Sequence, residues 1–258
     1  MKVEQIKIPI LTYHSIDESG SVISTKPEVF RKQMKGLSEA GYEVVALSHL
    51  VESRSGKTSL PPKTVVLTFD DGFQNFYAAV FPVLQEYGFK ATVFLVTDHC
   101  GGYNDWRGNP PDLQRSKLLS WREIKELSDH GIEFGAHTRT HPDLTRIGAE
   151  RVENEIIESK KVIEDSIGRE ARTFAYPFGK FNPTIRRVVE KTFAAACSTN
   201  LGKVCPQSDF YTLERLDTYY LSNPVIFNSL SSKSFDRYMR VRQAMRDFKA
   251  LLPRRQAN

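Results

Sequence analysis

The sequence alternates between short apolar runs and longer segments of helical period, and this alternation restricts the fold more than any other feature. The strand-like runs are residues 8–13, 64–69, 91–96, 133–136, 173–176, 194–198 and 213–216. Amphipathic segments separate most of these runs, and the clearest covers residues 148–166. About seven strand-then-helix units predict a mainly parallel sheet whose crossover connections are helices.

Two capping-box patterns mark predicted helix starts. Thr25 is followed by Glu28, and Ser120 is followed by Glu123. At this spacing an N-cap hydroxyl and an acidic side chain each accept the other residue's backbone N–H. We therefore expect one helix to begin just after Thr25 and another just after Ser120.

The bulk composition excludes some classes of protein. The net charge is +5 and the isoelectric point about 9.0, and no basic stripe interleaved with aromatic residues occurs, so we expect no nucleic-acid partner. The three cysteines have neither CxxC spacing nor the even number of a disulfide framework. No repeat or linker divides the chain, so one domain over residues 1–231 is predicted.

Residues 232–258 form a basic tail with interleaved apolar residues. It could be a basic amphipathic helix that contacts a membrane, or a helix packed on the domain, which is the preferred interpretation. No apolar stretch near the start is long enough for a signal sequence or a membrane span. We therefore expect a cytoplasmic protein, with peripheral contact at the inner membrane face as an option through the tail.

Two adjacent acids follow a predicted buried strand in the segment Thr-Phe-Asp-Asp-Gly, residues 68–72. Side chains of neighbouring residues diverge as they leave a strand. One of Asp70 and Asp71 can therefore face a metal while the other faces a water. On its own, an Asp-Gly pair more often marks a turn.

His137 and His141 are four residues apart at the end of another predicted strand. With one carboxylate they form a set of two histidines and one acid, which zinc, iron and cobalt accept. Such a spacing is common on surface helices, but Pro142 and the preceding strand disfavour a helix here.

A third loop follows a strand at Tyr176, Pro177, Phe178 and Gly179. It could be a plain turn, or it could direct a backbone N–H at a developing oxyanion and wall a sugar pocket. The acids, the histidines and this loop each follow the carboxyl end of a different strand. A closed or nearly closed barrel gathers its active-site groups in this way, and we favour it over an open sheet.

In this order, the three segments resemble the motifs of the polysaccharide deacetylase family, whose members share the nodulation-type chitooligosaccharide deacetylase domain. The first motif, T-F-D-D-G, is unchanged at residues 68–72, and the second, H-[ST]-x-x-H, matches residues 137–141. The third, R-P-P-[YF]-G, matches residues 175–179 only in part. The resemblance implies a single-domain, distorted (β/α)7 barrel of the TIM type that removes N-acyl groups from amino sugars.

The resemblance also implies roles for individual residues. By position, Asp71, His137 and His141 would hold a divalent metal, with zinc preferred and cobalt, nickel or iron as options, and Asp70 would be the general base. A divalent metal polarises an amide carbonyl and acidifies water while a nearby carboxylate takes the proton, which agrees with this assignment. The 176–178 loop would bind substrate and the oxyanion.

Two departures from the family pattern require substitutes. Ala175 replaces the third motif's arginine, and no histidine later than the second motif supplies the usual general acid. Arg215, in a later strand, is the expected partner of Asp70, with Arg172 as a second candidate. His14, at the end of the first strand, resembles the histidine of the poly-N-acetylglucosamine deacetylase branch and is the expected acid.

The sequence thus predicts a metal-dependent hydrolase that removes N-acetyl, or alternatively N-formyl, groups from amino sugars of a polysaccharide, an oligosaccharide or a lipid-linked glycan. Two alternatives stay open. The altered third motif would suit an inactive carbohydrate-binding protein on the same scaffold, and a small non-polymeric substrate would suit a metal-dependent amidase or deformylase. The long insertion at residues 97–119 could be a lid over the site or an ordinary surface loop.

Overall fold

A computed structural model describes residues 7–54, 56, 58–109 and 113–251. The strands in these ranges are Ile10–Tyr13 (β1), Ser15–Ile16 (β2), Ser24–Thr25 (β3), Glu43–Val45 (β4), Thr64–Phe69 (β5), Thr92–Leu95 (β6), Glu133–Ala136 (β7), Thr173–Ala175 (β8), Ala195–Leu201 (β9) and Leu213–Asp217 (β10). The α-helices are Pro27–Glu39 (α1), Leu47–Arg54 (α2), Phe81–Tyr87 (α3), Trp121–Asp129 (α4), Ala149–Ile167 (α5), Pro183–Thr192 (α6), Pro224–Asn228 (α7) and Lys233–Leu251 (α8). A π-helical turn, Phe76–Val80, precedes α3, and short 3-10 turns lie at Thr97–His99, Leu144–Arg146, Pro177–Gly179 and Thr218–Leu221.

Seven parallel strands close into a barrel in the order β1, β10, β9, β8, β7, β6 and β5, and β5 pairs back with β1. β4 lies outside this ring. It pairs with the first half of one edge of β5, where Glu43 is opposite Thr64, and β6 takes the second half of that edge, where Val93 is opposite Phe69. β1 pairs with the other edge of β5, where Tyr13 is opposite Phe69. This shared edge distorts the barrel. The predicted single-domain (β/α)7 barrel is confirmed.

The predicted elements agree with the observed ones to different degrees. The strands at 64–69 and 133–136 have their predicted bounds, and the other predicted strands shift at their ends by one to three residues. The sequence did not predict β2, β3, β4, α2 or α7. Ser120 caps α4 through the predicted capping box, because its Oγ accepts the N–H of Glu123 and its own N–H donates to the Glu123 carboxylate. The box predicted at Thr25 is wrong, since Thr25 ends β3 and α1 begins without a side-chain cap.

An aromatic cluster supports the strand ends that precede the candidate site. The rings of Tyr13 and Phe69 stack with centroids 5.1 Å apart, and Phe30 and Phe76 pack against them edge-on. All four side chains are buried, and each such burial contributes about 1.5–3 kcal/mol. His14 and Asp70 directly follow Tyr13 and Phe69, so this packing holds the backbone from which they project.

The C-terminal helix packs on the barrel along one face. Phe235 and Met239 are buried, and the N–H of Leu201 donates to Gln243 Oε1 over 2.8 Å. This arrangement agrees with the preferred interpretation of the tail for residues 233–251, whereas residues 252–258 lie outside the described ranges. No helix in the described ranges is both long enough and apolar enough to cross a membrane.

Candidate metal centre and active site

The polar residues singled out in the sequence meet at one end of the barrel. Asp70 and Asp71 directly follow β5, His137 directly follows β7, and His14 directly follows β1. Arg215 lies within β10 and reaches Asp70. They converge because the carboxyl ends of parallel strands form one rim of the barrel.

Backbone strain in the described residues is concentrated at this rim. The non-glycine residues with positive φ are Asp71, Thr138, His141 and Phe178, with values between 56° and 73°. Such a conformation costs about 1–3 kcal/mol per residue and persists where the surroundings impose it. At His141 the backbone N–H donates to Thr138 Oγ1 over 3.0 Å, which holds the turn between the two histidines. The strain therefore marks a functional site.

Three ligand atoms face one point within the rim. His137 Nε2 lies 3.5 Å from Asp71 Oδ1, His141 Nε2 lies 3.6 Å from the same oxygen, and the two nitrogens are 3.2 Å apart. Four ligands at ordinary zinc distances are separated by roughly 3.3 Å. Asp71 Oδ1 is buried and has no hydrogen-bond partner among the described residues. A buried oxygen without a partner is costly, so this group fits a divalent cation. It is the one group of three such side chains in the described ranges.

The neighbours of the histidines prepare both rings for metal binding. His137 Nδ1 donates to the carbonyl of Ala175 over 2.7 Å, which leaves Nε2 as the acceptor that faces Asp71. Burial, with the neighbouring His137 as a second cause, lowers the pKa of His141 well below its usual range. Its imidazole is therefore neutral, the form that binds metals. Burial also raises the pKa of Asp71, a penalty that a bound cation would offset.

Asp70 forms a buried, bidentate ion pair with Arg215. Nη1 and Nη2 of Arg215 each donate to one carboxylate oxygen over 2.7 Å, and Nε donates to the carbonyl of Ser198 over 2.9 Å. Burial alone would raise the pKa of Asp70, but the charge and hydrogen bonds of Arg215 outweigh it and hold that pKa well below its usual range. Asp70 is thus a fixed carboxylate. The second candidate, Arg172, pairs with Glu52 instead.

His14 lies beside this ion pair. Its Nε2 is 3.9 Å from Asp70 Oδ2, and its side chain is 25% exposed, compared with 4% for Asp70. Both residues, with Arg215, line a small cavity at the rim. His14 is therefore accessible from solvent where the carboxylate is not.

Of the three predicted residues in the third loop, only Phe178 reaches the cleft next to the metal cluster. Tyr176 is buried, its ring stacks on Phe181, and its N–H donates to the carbonyl of Cys197 over 3.2 Å. Pro177 is also buried and has no N–H. The Phe178 ring is 39% exposed, and its centroid lies 4.6 Å from that of His141.

The insertion at residues 97–119 supplies a residue that the sequence did not single out as part of the site. The Trp106 ring lies 4.7 Å from the ring of His141 and is 6% exposed. Both Trp106 and Phe178 line a cleft of about 890 Å³, whose other lining residues include Arg107, Arg146, Arg151 and Lys180. The insertion therefore forms a wall of the site. Its residues 110–112 lie outside the described ranges. The sequence signal that could have identified this residue is a tryptophan within an unusually long connection between two strands.

Comparison with known proteins gives consistent matches. The family model for polysaccharide deacetylase matches residues 57–195. YxkH of Bacillus subtilis, named as a polysaccharide deacetylase, is 30% identical over 213 residues, which are 81% of this chain and 71% of that protein. The poly-β-1,6-N-acetyl-D-glucosamine N-deacetylase of Escherichia coli K12 is 30% identical over 141 residues, 50% of this chain but only 20% of that protein.

A solved structure shares the fold over most of both chains. It is the deacetylase PplD of Streptococcus pyogenes in complex with acetate, with a TM-score of 0.73 and 25% identity. The match covers 83% of this chain and 92% of PplD.

Proposed function

Since this chain belongs to the polysaccharide deacetylase family, we propose that it is a metal-dependent hydrolase that removes N-acetyl groups from the amino sugars of a glycan. One observation carries the proposal: Asp71, His137 and His141 converge within 3.6 Å of one another beside the fixed carboxylate of Asp70. A binding protein has no need of a metal cluster next to a buried base.

Asp71, His137 and His141 would hold the metal, with zinc preferred and cobalt, nickel or iron as options for this ligand set. When bound, the metal supplies Lewis-acid chemistry, which polarises the amide carbonyl and makes a water easier to deprotonate. Asp70 takes the proton of the attacking water. Arg215 keeps Asp70 ionised and orients it, so the acceptor oxygen needs no rearrangement during the reaction.

The remaining steps are assigned by elimination and by position. In the third loop, Tyr176 uses its N–H for Cys197 and Pro177 has none, so the N–H of Phe178 is the proposed oxyanion donor. His14 would protonate the departing amine, since it lies 3.9 Å from Asp70 and is reached by solvent. An acid is required because an amine anion is a poor leaving group.

The cleft supports a sugar substrate. Trp106 and Phe178 line the cleft, each with its ring centroid within 4.7 Å of that of His141, and aromatic linings suit the apolar face of a pyranose ring. The names of the two relatives support a polymeric substrate, and that of the Escherichia coli enzyme an N-acetylglucosamine chain. An N-formyl group would fit the same chemistry and is tested alongside.

The first experiment measures acetate release from β-1,6-linked N-acetylglucosamine oligomers and chitooligosaccharides, and formate release from their N-formyl counterparts, with the full chain stripped of metal and then reloaded. Asp70→Asn should lower the rate by about 10²–10⁴-fold with unchanged metal content. The matched control is Asp165→Asn, at an exposed position of α5, and it should retain full activity. Release that survives chelation would refute the metal requirement. No release from any substrate by metal-loaded protein would favour the carbohydrate-binding alternative.

A second experiment isolates the role of His14. His14→Gln should slow amide hydrolysis by about 10²-fold or more but leave hydrolysis of 4-nitrophenyl acetate nearly unchanged, because a phenolate departs without protonation. An equal loss on both substrates would mean that His14 positions Asp70 and does not act as the acid.

A further inference from the structure

The C-terminal helix α8 has a second apolar face that points away from the barrel. Val241, Met245 and Phe248 are 53%, 58% and 66% exposed. Their spacing of four and three residues places them in one stripe. Phe235 and Met239 lie on the other side and are buried against the barrel. The outward stripe is therefore additional to the face that docks the helix.

The charge of the protein is concentrated in the same segment. Residues 232–258 contain eight of the 36 Lys and Arg residues but only two of the 31 Asp and Glu residues. This segment thus has a net charge of +6, and the other 231 residues together carry −1. Arg237 lies one turn before Val241 and Lys249 one turn after Met245, and both are exposed. Basic side chains therefore flank the apolar stripe.

We propose that this face of α8 docks the protein on an anionic lipid bilayer. Phe248, Met245 and Val241 would enter the boundary between headgroups and acyl chains, while the flanking basic side chains contact acidic headgroups. A second copy of the chain is a poorer occupant, because it would bring two segments of charge +6 together. Arg254 and Arg255 follow α8 in the sequence and add positive charge to the same end.

The docking face is rigidly joined to the barrel. Gln243 Oε1 accepts the N–H of Leu201, and Arg246 Nη1 donates to the carbonyl of Thr199 over 2.9 Å. Thr199 also lines the small cavity beside Asp70. Membrane contact through α8 would consequently hold the barrel in a defined orientation relative to the bilayer. The strand that α8 contacts, β9, leads to the cavity beside Asp70.

Vesicle co-sedimentation of the full chain tests the proposal without any activity assay. We expect binding to phosphatidylcholine vesicles that contain phosphatidylglycerol, weak binding to phosphatidylcholine alone, and weakening by salt. Arg237→Gln with Lys249→Gln should reduce the affinity about 25-fold, roughly fivefold for each charge removed near the surface. The matched control is Lys32→Gln with Lys35→Gln, two exposed positions of α1, and it should change the affinity little.

Met245→Ser with Phe248→Ser tests the apolar stripe. Both side chains are exposed, so the variant should keep the melting temperature of the wild type while vesicle binding falls. Wild-type affinity in this variant, or equal losses in the α1 control, would overturn the proposal. It would also be overturned if light scattering showed a dimer that the serine variant dissolves, since the stripe would then be a contact between two copies.

Discussion

Replacing Arg215 by methionine should destabilise the protein severely, through the charge that it leaves behind. Arg215 and Asp70 have side chains only 3% and 4% exposed, and Arg215 donates two hydrogen bonds to the carboxylate and one to Ser198. Methionine fills much of the same volume but donates none. Asp70 would then be a buried carboxylate without a counter-charge.

Removing one partner of a buried ion pair costs about 3–5 kcal/mol of unfolding free energy. At about 2–4 °C for each kcal/mol, the melting temperature should fall by roughly 6–20 °C. Arg172→Met is the matched control, because its pair with Glu52 is 27% and 34% exposed. A partly exposed pair contributes about 0–1 kcal/mol, so the control should melt within a few degrees of the wild type.

The assay is urea unfolding of the metal-free protein, followed by circular dichroism, for Arg215→Met, Asp70→Asn and the double variant. Because the two residues form one unit, the double variant should be more stable than the sum of the single effects predicts, by about 1–3 kcal/mol. Additive effects, or a cost for Arg215→Met no larger than that for Arg172→Met, would show that the ion pair does not hold the site together.

Two further predictions concern other parts of the barrel. Gly179→Ala should lower the free energy of unfolding by about 2–4 kcal/mol, because φ is +67° and a Cβ would lie 2.0 Å from Thr199 Oγ1. Gly168→Ala should lower it by only about 1–2 kcal/mol, because φ is +68° but the space around the Cβ is open. Equal melting temperatures of the two variants would contradict this prediction. Burial raises the pKa of Glu133 above its ordinary 4.5, so the native state binds that proton more tightly than the unfolded chain. The free energy of unfolding should consequently fall as the pH rises from about 4.5 through the raised pKa of the native state, and Glu133→Gln should flatten this fall. Urea titrations at several pH values measure it, and the same dependence on pH in wild type and variant would refute the prediction.

Several features were predictable because the interactions that create them are local. The capping box at Ser120 joins residues three apart, and the strand at 64–69 consists of apolar and β-branched residues that suit burial on both faces. The capping box predicted at Thr25 does not form, because Thr25 pairs with Ile16 of β2 as the last residue of β3 and does not cap α1. β4 was missed because three residues with one exposed end carry too little periodicity.

The sequence by itself determined the alternating strands and helices, the adjacent acids at 70 and 71 and the two histidines four residues apart. Each of these features depends only on residues that are close together in the chain. The tertiary structure decided between the two candidate partners of Asp70, since Arg215, 145 residues away, supplies the counter-charge and Arg172 pairs with Glu52. Only the tertiary structure decided that Trp106 lies against His141. It also decided which stripe of α8 faces outward. Barrel closure brings distant strand ends to one rim, and the geometry of that closure depends on how every strand and helix packs, which no local pattern encodes.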